Sequence, residues 1–151
     1  MADNIEKFNT IVGLVFSQLY SSFPVALELD EGEIVRGMGF EPRFKTLAGF
    51  DRQFLDGWPT FPDGTLSFPI YYSAIDWLQE EGFIRKTDGA NWVLTARALT
   101  ALNAQPGVLS EPLGRQLTSA AKGAASDAGR AVITEVVGQV IAGVAKGFMG
   151  G

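Results

Sequence analysis

The chain contains no histidine and no cysteine. The commonest general base, the thiol nucleophile and most transition-metal ligand sets are therefore missing from its chemistry. Carboxylates, hydroxyls, amines and aromatic rings remain. The densest carboxylate group is Glu28, Asp30, Glu31 and Glu33. Oxygen donors so close in sequence could attract a hard cation such as calcium. Their spacing does not match an EF-hand loop, and the run reads as a solvated acidic loop. Gly37-Met38-Gly39 begins like a dinucleotide-binding turn, but Pro42 stands where the third glycine belongs. No Walker-type Gly-Lys-Ser/Thr occurs either. Carboxylate pairs can support hydrolysis, yet nothing in the spacing sets two of them around a substrate. The expectation is a non-enzymatic protein with no catalytic residue, no cofactor and no metal.

The elements that would position any site follow from periodicity. Ile5, Phe8, Val12, Val15, Phe16 and Leu19 share one helical face, predicting an amphipathic helix over about Asn4–Tyr20. Phe23-Pro24 ends it, and Val25 to Asp30 reads as extended. Glu31–Thr65 is dense in glycine and proline and carries Phe40, Phe44, Phe50, Phe54, Trp58 and Phe61. These rings either plug the core from a long loop or form an aromatic partner surface, since such residues are enriched at interaction hot spots.

Leu66–Asn103 is the most legible stretch. Ser67 is a good N-cap, and Pro69 suits the first helical turn. Tyr71, Ala74, Ile75 and Leu78 then recur at helical spacing, and Gly82 stops the helix. Phe83-Ile84-Arg85-Lys86 and Asn91-Trp92-Val93-Leu94 flank a turn containing Asp88-Gly89, which predicts a hairpin with Trp92 packed on the domain. Thr95 can cap a last helix with Ala98, Leu99 and Leu102 inward, ended by Asn103 and Pro106. The run Trp77 to Ile84, then a wing, then Val93-Leu94-Thr95-Ala96, resembles the winged-helix domains. The resemblance implies an α+β fold, mainly α, with a small β-hairpin wing. It covers residues 1–104, and its second helix is expected at Leu47–Leu55. A linker would span 105–112, and a C-terminal Ala/Gly/Val-rich helical tail 113–151.

Many winged helices bind DNA through a helix that sends basic or amide side chains into the major groove. Here that helix is Phe68–Glu81. With its apolar face turned inward, the outer face keeps Tyr72, Ser73, Asp76, Gln79 and Glu80, with no Lys or Arg. Asp76 and Glu80 lie one turn apart and would repel phosphates. Residues 1–104 hold 14 acidic and eight basic side chains. The expected partner surface is therefore Tyr72, Asp76 and Glu80 with Arg85 and Lys86 of the wing, and its partner a protein, with nucleic acid disfavoured.

In the tail, Val132, Val136 and Val140 repeat every four residues, as do Ile133, Val137 and Ile141. A helix glycine costs about 1 kcal/mol relative to alanine. Gly138, Gly143 and Gly147 therefore point to close backbone approach. The tail reads as one helix over about Leu117–Met149, or two meeting near Gly123 or Gly129. It would pack on its own domain, self-associate or contact a membrane surface. Its longest uncharged run, Val136–Ala145, is ten residues, against about 20 for a spanning helix.

The acidic N-terminus lacks the basic region of a secretory signal, and the absence of cysteine suits a reducing compartment. A cytoplasmic protein is expected, at most peripheral to a membrane. Taken together, the residues predict a protein-interaction module of winged-helix type whose C-terminal helix mediates self-association or membrane attachment. The competing class is a DNA-binding transcriptional regulator dimerised by that helix.

Overall fold

Asp3 starts the first helix, its carboxylate accepting the Glu6 N–H at 2.8 Å. In the computed structural model residues 3–105, 107 and 111–149 are described, with side chains described through Val144. Helix α1 (Asn4–Ser22) is buried on most of its circumference at mid-length, where Ile11, Val12, Leu14, Val15 and Phe16 all leave solvent. Ile5 departs from its expected place on the buried face and is 69% exposed. On the opposite side of that first turn Lys7 is buried instead. Its ammonium bonds Asp63 at 2.5 Å and lies 4.8 Å from the Phe61 ring centre.

After strand β1 (Leu27–Glu28) comes α2 (Glu31–Gly37). The acidic run is its start signal, not a solvated loop. Asp30 caps the helix by accepting the Glu33 N–H at 3.1 Å, while Glu31 and Glu33 occupy the first turn, where the helix dipole favours negative charge. The second helix therefore lies here and not at Leu47–Leu55. Two glycines hide it from a propensity reading, and both are spent on close packing. A Cβ on Gly37 would sit 2.6 Å from Leu14, and one on Gly32 2.7 Å from the Phe44 ring. The segment where that helix was expected holds instead a turn and part of a hairpin, β2 (Phe44–Thr46) with β3 (Gln53–Leu55), pairing Phe44 to Leu55 and Thr46 to Gln53.

Helix α3 (Ser67–Glu80) buries Tyr71, Ala74, Ile75 and Leu78, as its spacing requires. Ser67 is inside the helix and is not its cap. Its hydroxyl donates to the Pro59 carbonyl at 2.5 Å, and Leu66 at the cap position makes no capping bond. Gly82, at φ 78°, ends the helix run. Strands β4 (Ile84–Lys86) and β5 (Asn91–Leu94) form the expected hairpin around Gly89, and Trp92 packs half-buried against the core. β1 adds to the other side of β5, giving an antiparallel sheet in the order β1-β5-β4. Thr95 caps α4 (Ala96–Leu102) by accepting the Ala98 N–H. There Ala98 and Leu102 are buried and Leu99 is half-buried.

The tail forms two helices, α5 (Leu113–Lys122) and α6 (Asp127–Met149), broken just after Gly123. The Leu113 N–H returns to the Ala104 carbonyl at 3.0 Å, holding the start of α5 against the end of α4. Pro106 and residues 108–110 of the expected linker lie outside the described residues. Leu117, Ile133, Val137 and Val140 are fully buried in the same cluster as Ile11, Val15 and Phe16 of α1. The molecule is thus α+β and mainly helical, with two small antiparallel sheets among the described residues.

Candidate partner-binding groove

One flank of α3, carrying Tyr72 and Asp76, faces the β2–β3 hairpin across a groove of about 720 Å³. Phe44, Arg52 and Phe54 of the hairpin segment form one wall, and Tyr71, Tyr72 and Asp76 of α3 the other. Glu28, Asp30 and Glu31 enter from the β1–α2 junction, and Lys86 and Trp92 from β4 and β5.

Local packing explains why each stands there. Gly32 has no side chain, so the Phe44 ring can rest on α2 and anchor the hairpin. Arg52 bonds Glu28 through both of its terminal nitrogens, the longer contact at 3.0 Å, and its guanidinium lies 4.4 Å from the Phe54 ring centre. Trp58 stacks on Tyr71 at 4.5 Å between ring centres and meets the Tyr72 ring edge-on at 6.2 Å. Lys86 lies over Trp92 at 5.7 Å.

The charges are uneven. Burial pushes the Glu31 carboxyl above its ordinary range, against a hydrogen bond from Tyr71 that favours the ionised form. The Tyr71 hydroxyl is raised by its own burial and by the Glu31 charge beside it. Tyr72, more open, is raised in the same sense by burial and then by Glu31. Asp76 has no ion pair among the described residues.

Of the surface expected from sequence, Tyr72, Asp76 and Lys86 line this groove. Glu80 and Arg85 are exposed but lie outside it. Sequence reasoning missed Glu31, Arg52 and Tyr71 as groove residues. The acidic run and the ring-rich middle segment were the available signals, but only the fold brings them to α3.

The tail residues divide differently. Ile133, Val136, Val137 and Val140 are buried, and Ile141 is half-buried against them. Val132 is 45% exposed, and apart from the backbone of α6 itself and the adjoining residues no heavy atom approaches within 4 Å of the Cβ positions of Gly138 or Gly143. The close approaches sit at other glycines: Gly13 of α1 meets Ile133 and Val137, Gly114 of α5 meets the Tyr20 ring, and Gly129 of α6 meets the Gly123 carbonyl. Gly147 belongs to α6, with its surroundings outside the described residues.

A second groove of about 610 Å³ lies between α1 and α6, with Lys7, Phe40, Phe61 and Arg130 among its lining. Its cations are internally committed, Lys7 to Asp63 and Arg130 to Asp127 and the Ala124 carbonyl. Among the described residues no three carboxylates are grouped to hold a metal ion. Asp30 and Glu28 of the acidic run are already engaged, the first as a cap and the second with Arg52. Comparison with protein-family models, curated proteins and solved structures finds no match to this chain.

Proposed function

We propose that the chain is a non-enzymatic protein-interaction module on a winged-helix plan. The order α1-β1-α2-α3-β4-β5, with β1 and β4 flanking β5, supports that plan. The β2–β3 hairpin is then an insertion between the second and third helices. The observation that carries the functional reading is the position of this hairpin. It stands across from Tyr72 and Asp76, on one flank of the outer face that a DNA reader lays into the major groove. The result is a cleft with aromatic walls and carboxylates, on a helix without Lys or Arg. Aromatic side chains held in a cleft suit a protein partner, and carboxylates repel phosphates.

Self-association through the outer face of α6 belongs to the same proposal. That face carries Val132, Gly138, Gly143 and Ala142, all open to solvent. Membrane attachment has less support. The Val/Ile face that would enter lipid is spent on the domain core, and no described helix is long and apolar enough to cross a membrane.

Two measurements test the reading. Sedimentation of the full chain over a wide concentration range should show reversible association, weakened by Val132→Glu. Titration with duplex DNA at physiological salt should show no sequence-specific binding. Specific binding that is lost on Arg85→Ala or Lys86→Ala would replace this proposal with a DNA-binding one.

A further inference from the structure

We propose that the groove between α3 and the β2–β3 hairpin receives an extended segment of a partner protein bearing a lysine or arginine, whose cation meets Glu31 and Asp76. The inference rests on the protein-interaction reading above and adds the chemistry of the partner.

Charge complementarity is the first argument. Arg52 neutralises Glu28, and Asp30 is committed to the cap of α2. Glu31 and Asp76 then remain, with Lys86 lying over Trp92 on its own wall and Arg52, already paired with Glu28, also attracting Glu31. The groove is left with negative charge that nothing within it balances. Glu31 is half-buried, so its charge is costly there, and a ligand cation would relieve that cost.

The walls give the second argument. Tyr72 is 51% exposed and Phe44 44% exposed, so ring surface faces the groove mouth unoccupied. Cations associate with aromatic faces, and the aliphatic stems of Lys and Arg pack on apolar surface. The third argument is extent. Beyond the groove the hairpin turn carries Leu47 and Phe50, the latter 59% exposed. Apolar contacts that continue past the cleft fit a chain segment better than a small cation.

The test uses fluorescence anisotropy of the full chain at physiological salt with three labelled twelve-residue peptides. They share alternate Phe and Leu positions and differ in carrying Lys/Arg, Gln or Glu between them. The basic peptide should bind, the Gln peptide about tenfold more weakly, and the Glu peptide not detectably. Glu31→Gln and Asp76→Asn should each weaken the basic peptide by about five- to tenfold. Glu135→Gln, in the second groove, should leave it unchanged. Asp76 makes no contact the fold needs, so its variant reads the groove even if Glu31→Gln disturbs α2. Equal binding of basic and Gln peptides overturns the proposal. So does basic-peptide binding indifferent to Asp76→Asn, or no binding of any peptide. Each of those results leaves the sedimentation test of the broader reading intact, so the two can fail separately.

Discussion

Gly13 of α1 and Ile133 of α6 share one volume: a Cβ placed on Gly13 would lie 2.2 Å from Ile133 Cγ2. The missing side chain on one helix is what lets the other helix dock. Val137 and Leu117 close the same contact at 3.0 and 3.3 Å.

Gly13→Ala should therefore destabilise the fold. In an open helix the change would add about 1 kcal/mol of stability. Here the new methyl meets a β-branched side chain with little rotamer freedom. Overpacking of this kind costs about 1–3 kcal/mol. Urea unfolding of the two proteins decides the sign, and a stabilised variant would mean that α6 does not seat on α1.

Gly138→Ala and Gly143→Ala should do the reverse. Apart from the backbone of α6 itself and the adjoining residues, nothing lies within 4 Å of either Cβ position. Each should gain about 0.5–1 kcal/mol from helix propensity. Measured at dilute protein, the gain reports the helix alone. If it shrinks or reverses as concentration rises, the glycines are meeting another copy.

Thr95→Ala should cost about 1–2 kcal/mol, at the upper end for a lost cap. The hydroxyl both accepts from Ala98 N at 3.2 Å and donates to the Gly82 carbonyl at 2.6 Å. One substitution thus frees the start of α4 and the turn after α3. Thr95→Ser keeps both bonds and should recover most of the loss in thermal unfolding.

Stability should fall on acidification partly through Asp63. The Lys7 ammonium, then the Thr65 backbone N–H, hold this carboxyl well below its ordinary value of 3.8. A depressed folded pKa contributes stability that is fully present above the unfolded value. That stability drains away as pH drops below about 4 toward the folded value. Asp63→Asn should lower stability at neutral pH, because Lys7 stays buried without its counter-ion. It should also flatten the acid limb. Urea midpoints between pH 7 and pH 2 show both effects, and an unchanged acid limb would remove Asp63 from the account.

Leu66–Asn103 was legible because most local signals there agreed, the Ser67 cap excepted: Tyr71 to Leu78 at helical spacing, Gly82 at positive φ, Asp88-Gly89 in the turn, Thr95 as cap. The helix at Glu31–Gly37 was not legible, because Gly32 and Gly37 lower its propensity and repay that only through Phe44 and Leu14, distant in sequence. Ile5 misled for a related reason: a periodic face is buried only where another element covers it. Gly138 and Gly143 pointed to close packing and stand open, while the contact of α1 with α6 uses Gly13, whose neighbours in sequence give no hint of Ile133. Of the groove, Tyr72, Asp76 and Lys86 could be named from the outer face of one helix and its wing. Glu31, Arg52 and Phe54 reach it only by tertiary folding.

The docking of α6 on α1 also sets an order of events during synthesis. The surface of α1 around Gly13 is made about 120 residues before the side chains that cover it. At about 5–20 residues per second, ribosomal elongation leaves that surface uncovered for roughly 6–25 seconds. During that interval the Gly13 side of α1 lacks the Ile133 and Val137 side chains that cover it in the finished fold.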